Sequence, residues 1–239
     1  MELEQIINRQ FLCEHPLGRR WLPSAAAVLV LVTIGAVFVW VPNEAVMGAV
    51  QRIFYFHVGA AFAAYLMIFL MLVSALFFIG TRDRSWDLLG AASGRVGLLF
   101  CSIVLATGMI WGHSAWNTWW RWEPRLVSFL ILWLTLLAYE LLRSTMDEGD
   151  RRASVSAVLA IFSAINIPIV VFSVKLLSHT EQLHPQVIAQ QGIRDARFGV
   201  TLGLASVALL VFSLWLLWVE LTRQLHYRDL SRLEQRSTN

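Results

Sequence analysis

The chain has 239 residues, of which 57% are hydrophobic and 15% are charged, and its formal net charge is +3. Its mean hydropathy of +0.62 is too high for one soluble domain, which would be about half apolar and a quarter charged. Six apolar runs leave only short loops between them, so a separate globular catalytic domain is excluded.

These six runs are each bounded by charged or turn-forming residues, and we interpret all of them as transmembrane helices. The runs are residues 22–41, 54–79, 96–110, 126–142, 155–177 and 198–219. The predicted fold class is therefore an all-α integral membrane protein with six transmembrane helices in a single domain over residues 1–239. The first run has no small-residue cleavage site after it, so we expect an uncleaved anchor.

Basic residues in the short loops favour one orientation of these helices. Thirteen arginines lie before the first run, between the second and third, between the fourth and fifth, and after the sixth, against five on the other side. This bias predicts that both termini are cytoplasmic. The loops at 42–53, 111–125 and 178–197 are then expected to face outward.

Several chemistries are excluded by motifs that the sequence lacks. Cys13 precedes the first run and Cys101 lies within the third, so no disulfide is expected between them. The absence of C-x-x-C excludes thiol–disulfide relay chemistry and covalent attachment of c-type haem to this chain. The absence of G-x-x-x-x-G-K-[ST] assigns any ATP-driven step to a partner.

The outer segment 111–125, between the third and fourth helices, is dense in tryptophan. It reads W-G-H-S-A-W-N-T-W-W-R-W-E-P-R and holds five of the eleven tryptophans within twelve positions. If residues 115–122 are helical, Trp116, Trp119 and Trp120 lie at i, i+3 and i+4 and form one flat aromatic face. Several indoles exposed to water would form an unusually large apolar patch, so we expect lipid, protein or a ligand to contact this face.

Charged residues alternate with these indoles, which distinguishes the segment from an ordinary interfacial belt. A belt needs one or two tryptophans per helix end and has no need of Arg121, Glu123 and Arg125 among them. A flat, apolar and partly anionic ligand would use both kinds of side chain. An aromatic anchor in the lipid headgroup zone remains the alternative.

Two histidines on the predicted outer face are candidate metal ligands. His57 stands at the start of the second run in R-I-F-Y-F-H, and His184 lies in the last outer loop in Q-L-H-P. Neutral imidazole commonly ligates metals and haem iron. Spacing alone does not bring the two together, and each could instead be an interfacial histidine bonded to water or backbone. His113 and His179 are competing candidates on the same face.

The pattern W-G-x-x-x-W-x-x-W-W-x-W-E-P-R-L-x-S at 111–128 resembles the signature of the tryptophan-rich haem-handling membrane proteins of cytochrome c maturation, in particular the CcmC family. His57 and His184 stand where that family has outward histidines, and the resemblance covers most of residues 52–185. The sequence departs from the usual pattern at three positions. These are Glu123 in place of aspartate, Asn117 in place of glycine, and Val127 in place of threonine.

The resemblance implies a haem transfer and assembly factor rather than an enzyme, in the bacterial cytoplasmic (inner) membrane with its haem site facing the periplasm. It implies non-covalent haem b with His57 and His184 as axial ligands of the iron. The implied haem contacts are Trp111, Trp116, Trp119, Trp120, Trp122, Glu123 and Arg125. Arg125 is the first candidate for the haem carboxylates, with Arg52 and Arg121 behind it, because guanidinium binds carboxylates bidentately.

The resemblance also implies the partners. These are the membrane-anchored haem chaperone CcmE, an ABC-type transporter formed by CcmA and CcmB, the small membrane subunit CcmD and the lipid bilayer, with no nucleic acid. Two other functions stay open at this point. A transporter subunit without haem would place polar residues near the bilayer midplane, and a b-type electron-transfer cytochrome would carry its ligand histidines within the helices.

Overall fold

A computed structural model describes residues 14–44, 47–176 and 195–238 of the chain. Within these ranges six helices are long and apolar enough to cross a membrane, which confirms the predicted all-α fold. The helices are α1 (Leu17–Trp40), α2 (Arg52–Thr81), α3 (Arg84–Trp116), α4 (Pro124–Thr145), α5 (Asp150–Leu176) and α6 (Ala196–Thr238).

The helices extend beyond the apolar runs that predicted them. α3 begins at Arg84, and α6 continues to Thr238, because an apolar run marks only the part of a helix suited to lipid. The connection between α2 and α3 is correspondingly tight. Arg82 ends α2 in the left-handed region at φ 58°, and the Asp83 side chain accepts a 2.8 Å hydrogen bond from the backbone N–H of Ser85, which caps α3.

α2 lies at the centre of the bundle, where it packs against α3, α5 and α6. Its buried face is made of small residues, including Gly59, Ala60, Ala63 and Ala64. A Cβ atom at Gly59 would lie 3.0 Å from the carbonyl oxygen of Ala205, so the backbones of α2 and α6 approach closely there. Close backbone approach of this kind is how membrane helices gain packing contacts in lipid.

α1 lies at the edge of the bundle and packs mainly against α6. It is α-helical over Leu22–Gly35, with a π-helical turn before it at Leu17–Trp21 and another after it at Ala36–Trp40. Most of its side chains are exposed, as expected for a helix that faces lipid. In its last turn, Val37 is buried and packs with Tyr55 in a small cluster.

Ion pairs join the helices at the end of the bundle opposite the tryptophan-rich segment. Arg143 donates to both carboxylate oxygens of Asp87, at 2.5 and 3.0 Å, and both side chains are buried. Arg95 pairs with Glu140 and Glu220. Arg95 and Arg143 are two of the thirteen arginines that the sequence analysis counted in loops, because they directly flank apolar runs. They lie inside α3 and α4, where they hold α3, α4 and α6 together.

We predict that Asp87→Asn destabilises the protein strongly, because it leaves the Arg143 guanidinium buried without its anionic partner. Breaking a buried pair in this way costs roughly 3–5 kcal/mol in the free energy of unfolding. The matched control is Asp150→Asn, which breaks the exposed pair with Arg84 and is expected to cost less than about 1 kcal/mol. Equal unfolding midpoints for the two variants in detergent would contradict the structural role of Asp87.

Candidate functional site

The tryptophan-rich segment turns sharply where a helix was expected. α3 ends at Trp116 and α4 begins at Pro124, so the prediction of a helix over 115–122 is wrong. Asn117 ends α3 in the left-handed region at φ 53°, with its N–H bonded to the carbonyl of His113. Glu123 is extended because a residue before proline is disfavoured in the helical region.

The left-handed conformation of Asn117 explains one departure from the resembling family's pattern. Glycine adopts positive φ without strain, and asparagine is one of the few other residues that does so routinely. The turn brings the connection back onto α3, since a Cβ atom at Gly112 would lie 3.2 Å from the carbonyl oxygen of Thr118. The position therefore accepts either residue for the same conformational reason.

The first group of aromatic rings lies between α2 and the end of α3. Trp111 is 3% exposed and contacts Trp116, with ring centroids 5.3 Å apart at an interplanar angle of 51°. On its other sides it contacts Phe54 and His57, each with centroids 6.4 Å apart. This cluster places the imidazole of His57 beside the first two tryptophans of the segment.

The remaining tryptophans form two further pairs. Trp119 stacks on His113, with ring centroids 4.1 Å apart and planes within 7° of parallel, and Trp120 meets Trp122 edge to face at 5.8 Å. Trp119 and Trp122 are 56% and 78% exposed. Each of the three tryptophans predicted to share a helical face thus pairs with a different residue, and the segment presents several indole surfaces at different angles.

His57 lies in the second turn of α2, with its ring against α3. Its Nδ1 atom is 3.0 Å from the hydroxyl oxygen of Thr107, and a Cβ atom at Gly108 would lie 3.2 Å from its Cε1 atom. The imidazole also has a hydrogen bond with the backbone of Val104 on α3. Sequence reasoning missed Thr107, and the available signal was a lone threonine in an apolar run close to the tryptophans.

Glu123 and Arg125 organise the start of α4. Glu123 is 4% exposed, and its carboxylate lies 4.0 Å from the guanidinium of Arg121. Arg125 donates a 3.2 Å hydrogen bond to the carbonyl of Val171 on α5. The charges interleaved with the indoles are therefore partly engaged in holding α4 to α5, while Arg125 keeps further N–H groups for another acceptor.

A link between Asn166 and Ser128 strengthens the same contact. The Asn166 amide donates a 2.9 Å hydrogen bond to the Ser128 carbonyl, and the bond is buried. Pro168, inside α5, lacks a backbone N–H and interrupts the helical hydrogen bonds nearby. The start of α4 is thus fixed to α5 at two points.

Arg52 stands at the beginning of α2. It donates a 3.1 Å hydrogen bond to the side-chain oxygen of Asn43, and its guanidinium lies 5.6 Å from the centroid of the Phe38 ring. Its Nε atom is buried and has no acceptor in the part of the chain that the structure describes. The Nε1 atom of Trp120 is also buried without an acceptor there. The end of the bundle that carries the tryptophans therefore has two buried N–H donors that lack an acceptor among the described residues.

His184 and its competitor His179 lie outside the described residues, in 177–194. Their distance from His57 and the second axial position therefore stay predictions. Over the described ranges, no group of three or more His, Cys, Asp or Glu side chains could hold a bare metal ion. A porphyrin needs fewer protein ligands, because its own four nitrogens occupy most of the coordination sphere of the iron.

The side chains present fit a haem group in chemical type. His57 offers an imidazole ring beside the tryptophans, Trp119 and Trp122 offer exposed apolar rings, and Arg52 and Trp120 offer the unmatched donors. The iron of haem can bind an imidazole nitrogen, its flat apolar ring can pack against indoles, and its carboxylates can accept hydrogen bonds from N–H donors.

The family model described as CcmC, heme exporter protein C, matches residues 9–236. The chain belongs to this family. Proteins named heme exporter protein C include relatives from Rhodobacter capsulatus, 34% identical over 145 residues, and from Escherichia coli K12, 31% identical over 157 residues. The first match covers 61% of the chain and 60% of the relative, and the second covers 65% and 63%.

The relative from Bradyrhizobium diazoefficiens is 35% identical over 155 residues, covering 64% of the chain. Across these three relatives, the chain spans 58% to 63% of their length.

We predict that Asn117→Val destabilises the connection between α3 and α4, while Asn117→Gly leaves it intact. A β-branched residue in the left-handed region is strained, at a cost of about 1–2 kcal/mol in the free energy of unfolding. Thermal unfolding of both variants in detergent, followed by tryptophan fluorescence, measures the difference. If the valine variant unfolds at the same temperature as the glycine variant, the left-handed turn is absent.

Proposed function

We propose that the chain binds haem b non-covalently at the outer face of the bacterial cytoplasmic membrane and delivers it to the chaperone CcmE during maturation of c-type cytochromes. The family assignment and the names of the matched relatives support a role in haem handling. The observation that carries the proposal is the position of His57 on a membrane helix, beside Trp111 and against Thr107.

In this proposal haem is the cargo, and its iron accepts two axial imidazoles. His57 provides the first through Nε2, and His184 provides the second, with His179 as the alternative. Because the second histidine follows α5 and the first lies on α2, the two ligands reach the iron from different parts of the chain. Separating the two parts of the chain that carry these histidines then breaks one axial bond and frees the cargo for transfer.

The tryptophans supply apolar cover, and the arginines supply charge for the haem carboxylates. Trp119 and Trp122 expose their indoles, so they are placed to cover a ring that is bound and later released. Arg125 is our first choice for a carboxylate, and Arg52 is the second, because the buried Nε of Arg52 lacks an acceptor within the described ranges. Trp111 is buried and packs against the ring of His57, so its role is to support that ring.

The chain itself performs no bond-forming step in this proposal. Covalent attachment belongs to the chemistry of haem and its acceptor, and ATP hydrolysis belongs to the ABC-type partner formed by CcmA and CcmB. CcmD is the small membrane subunit expected beside them. We place the haem site on the periplasmic side because the arginine bias of the loops puts both termini in the cytoplasm.

We predict that the purified protein shows the absorption spectrum of a low-spin b-type haem, and that His57→Ala loses it, because removing one axial imidazole leaves the iron with weaker binding and an open position. The same loss is expected for His184→Ala. His226→Ala on α6 is the matched control and should keep the parental spectrum and haem content. If both His57→Ala and His184→Ala keep them as well, the axial assignment is wrong.

We predict that the double variant Trp119→Ala, Trp120→Ala slows haem transfer to the chaperone roughly tenfold, equivalent to about 1.4 kcal/mol, because it removes one exposed indole and the ring that packs against the other, Trp122. Membrane insertion should be unchanged. Trp21→Ala is the control, since Trp21 is also exposed but lies at the start of α1. Normal charging of the chaperone by the double variant would refute the role of these indoles.

A further inference from the structure

We propose that Thr107 is a positioning residue, which fixes the tautomer and orientation of His57 so that Nε2 is the nitrogen presented to the haem iron. This inference rests on the proposed function, in which His57 is an axial ligand. It adds a residue from α3 to the site, outside the tryptophan-rich pattern and outside the two histidines.

The hydrogen bonds of the threonine hydroxyl determine where the imidazole proton lies. The Thr107 oxygen is 2.7 Å from the carbonyl oxygen of Ile103 and 3.2 Å from that of Val104. A hydroxyl has one proton, and we assign it to the Ile103 carbonyl, the nearest of its three possible acceptors. In that arrangement the Thr107 oxygen, 3.0 Å from His57 Nδ1, accepts, and Nδ1 carries the imidazole proton.

The neutral imidazole has only one ring proton, so assigning it to Nδ1 leaves Nε2 with its lone pair free. A metal ion binds that lone pair. Ligating histidines almost always donate their second ring N–H to a nearby acceptor, which sets both the tautomer and the ring orientation. The bond between His57 and Thr107 has the geometry expected of that arrangement before any metal is bound.

Packing against α3 holds the ring in this orientation. A Cβ atom at Gly108 would lie 3.2 Å from Cε1 and 3.7 Å from Nδ1 of His57, so the imidazole lies directly on the α3 backbone, with Trp111 beside it. Flipping the ring would place a carbon atom against the Thr107 oxygen and give up the hydrogen bond. The imidazole is therefore held by contact as well as by the bond.

An acceptor at Nδ1 also changes the ligand electronically. Donation from the Nδ1 proton to Thr107 makes the imidazole more basic at Nε2, which stabilises oxidised iron relative to reduced iron. Removing the acceptor should move the reduction potential of the bound haem to a more positive value. Loss of such a partner typically weakens metal binding roughly 10- to 100-fold.

The test compares Thr107→Val, which keeps the shape of the side chain but removes the hydroxyl, with Thr107→Ser, which keeps the hydroxyl. Thr33→Val is the matched control, because Thr33 makes the same 2.7 Å bond to the carbonyl four residues earlier, at Leu29, and lies on α1, away from His57. Nitrogen-15 NMR of histidine-labelled protein without haem reports the tautomer, and His57→Gln identifies the His57 signals.

We expect parental protein, Thr107→Ser and Thr33→Val to show a protonated Nδ1 and an unprotonated Nε2 at His57, and Thr107→Val to shift both signals toward a mixture of tautomers. After loading with haem, only Thr107→Val should show a more positive potential and a haem affinity lowered roughly 10- to 100-fold.

Unchanged nitrogen signals in Thr107→Val would overturn the inference, as would an altered tautomer with an unchanged potential. Because the first measurement uses protein without haem, it separates the two proposals. If Thr107→Val alters the nitrogen signals but His57→Ala keeps its full haem content, His57 is not an axial ligand. The positioning role of Thr107 is then refuted as well, although the hydrogen bond between the two residues is real.

Discussion

The close packing of α2 against α3 determines where the imidazole of His57 lies. Glycines make this approach possible, since a Cβ atom at Gly97 would lie 3.4 Å from that of Met67, and one at Gly108 would press on His57. Lipid gives no hydrophobic force between membrane helices, so such contacts and buried hydrogen bonds hold them together. The candidate ligand is therefore placed by the helix bundle itself rather than by a loop.

The two ends of the bundle are built from different interactions. At one end, buried and partly buried ion pairs such as Asp87 with Arg143 join the helices. At the other, the contacts between described residues include aromatic rings, single hydrogen bonds such as that from Arg125 to Val171, and the longer 4.0 Å pair of Arg121 with Glu123. Breaking a buried ion pair is far more costly than separating exposed rings. This difference suits a protein that we propose to bind its cargo at the aromatic end and then release it.

Much of the fold follows from the sequence, because long apolar runs have few alternatives to membrane helices. The site follows only in part. The spacing of Trp116, Trp119 and Trp120 suggested a helix, but the left-handed Asn117 and the proline at 124 end the helices on either side. Thr107 could not be singled out because its role depends on His57, fifty positions away in the chain. Contacts between helices carry information that the periodicity within one helix does not.

A structure of the haem-loaded protein, determined by cryo-electron microscopy with its membrane partners, tests the central claim most directly. The account predicts a porphyrin at the end of the bundle that carries the tryptophans, with His57 Nε2 bonded to the iron and Nδ1 still bonded to Thr107. A porphyrin bound elsewhere in the bundle, or an iron without His57 as a ligand, would contradict it.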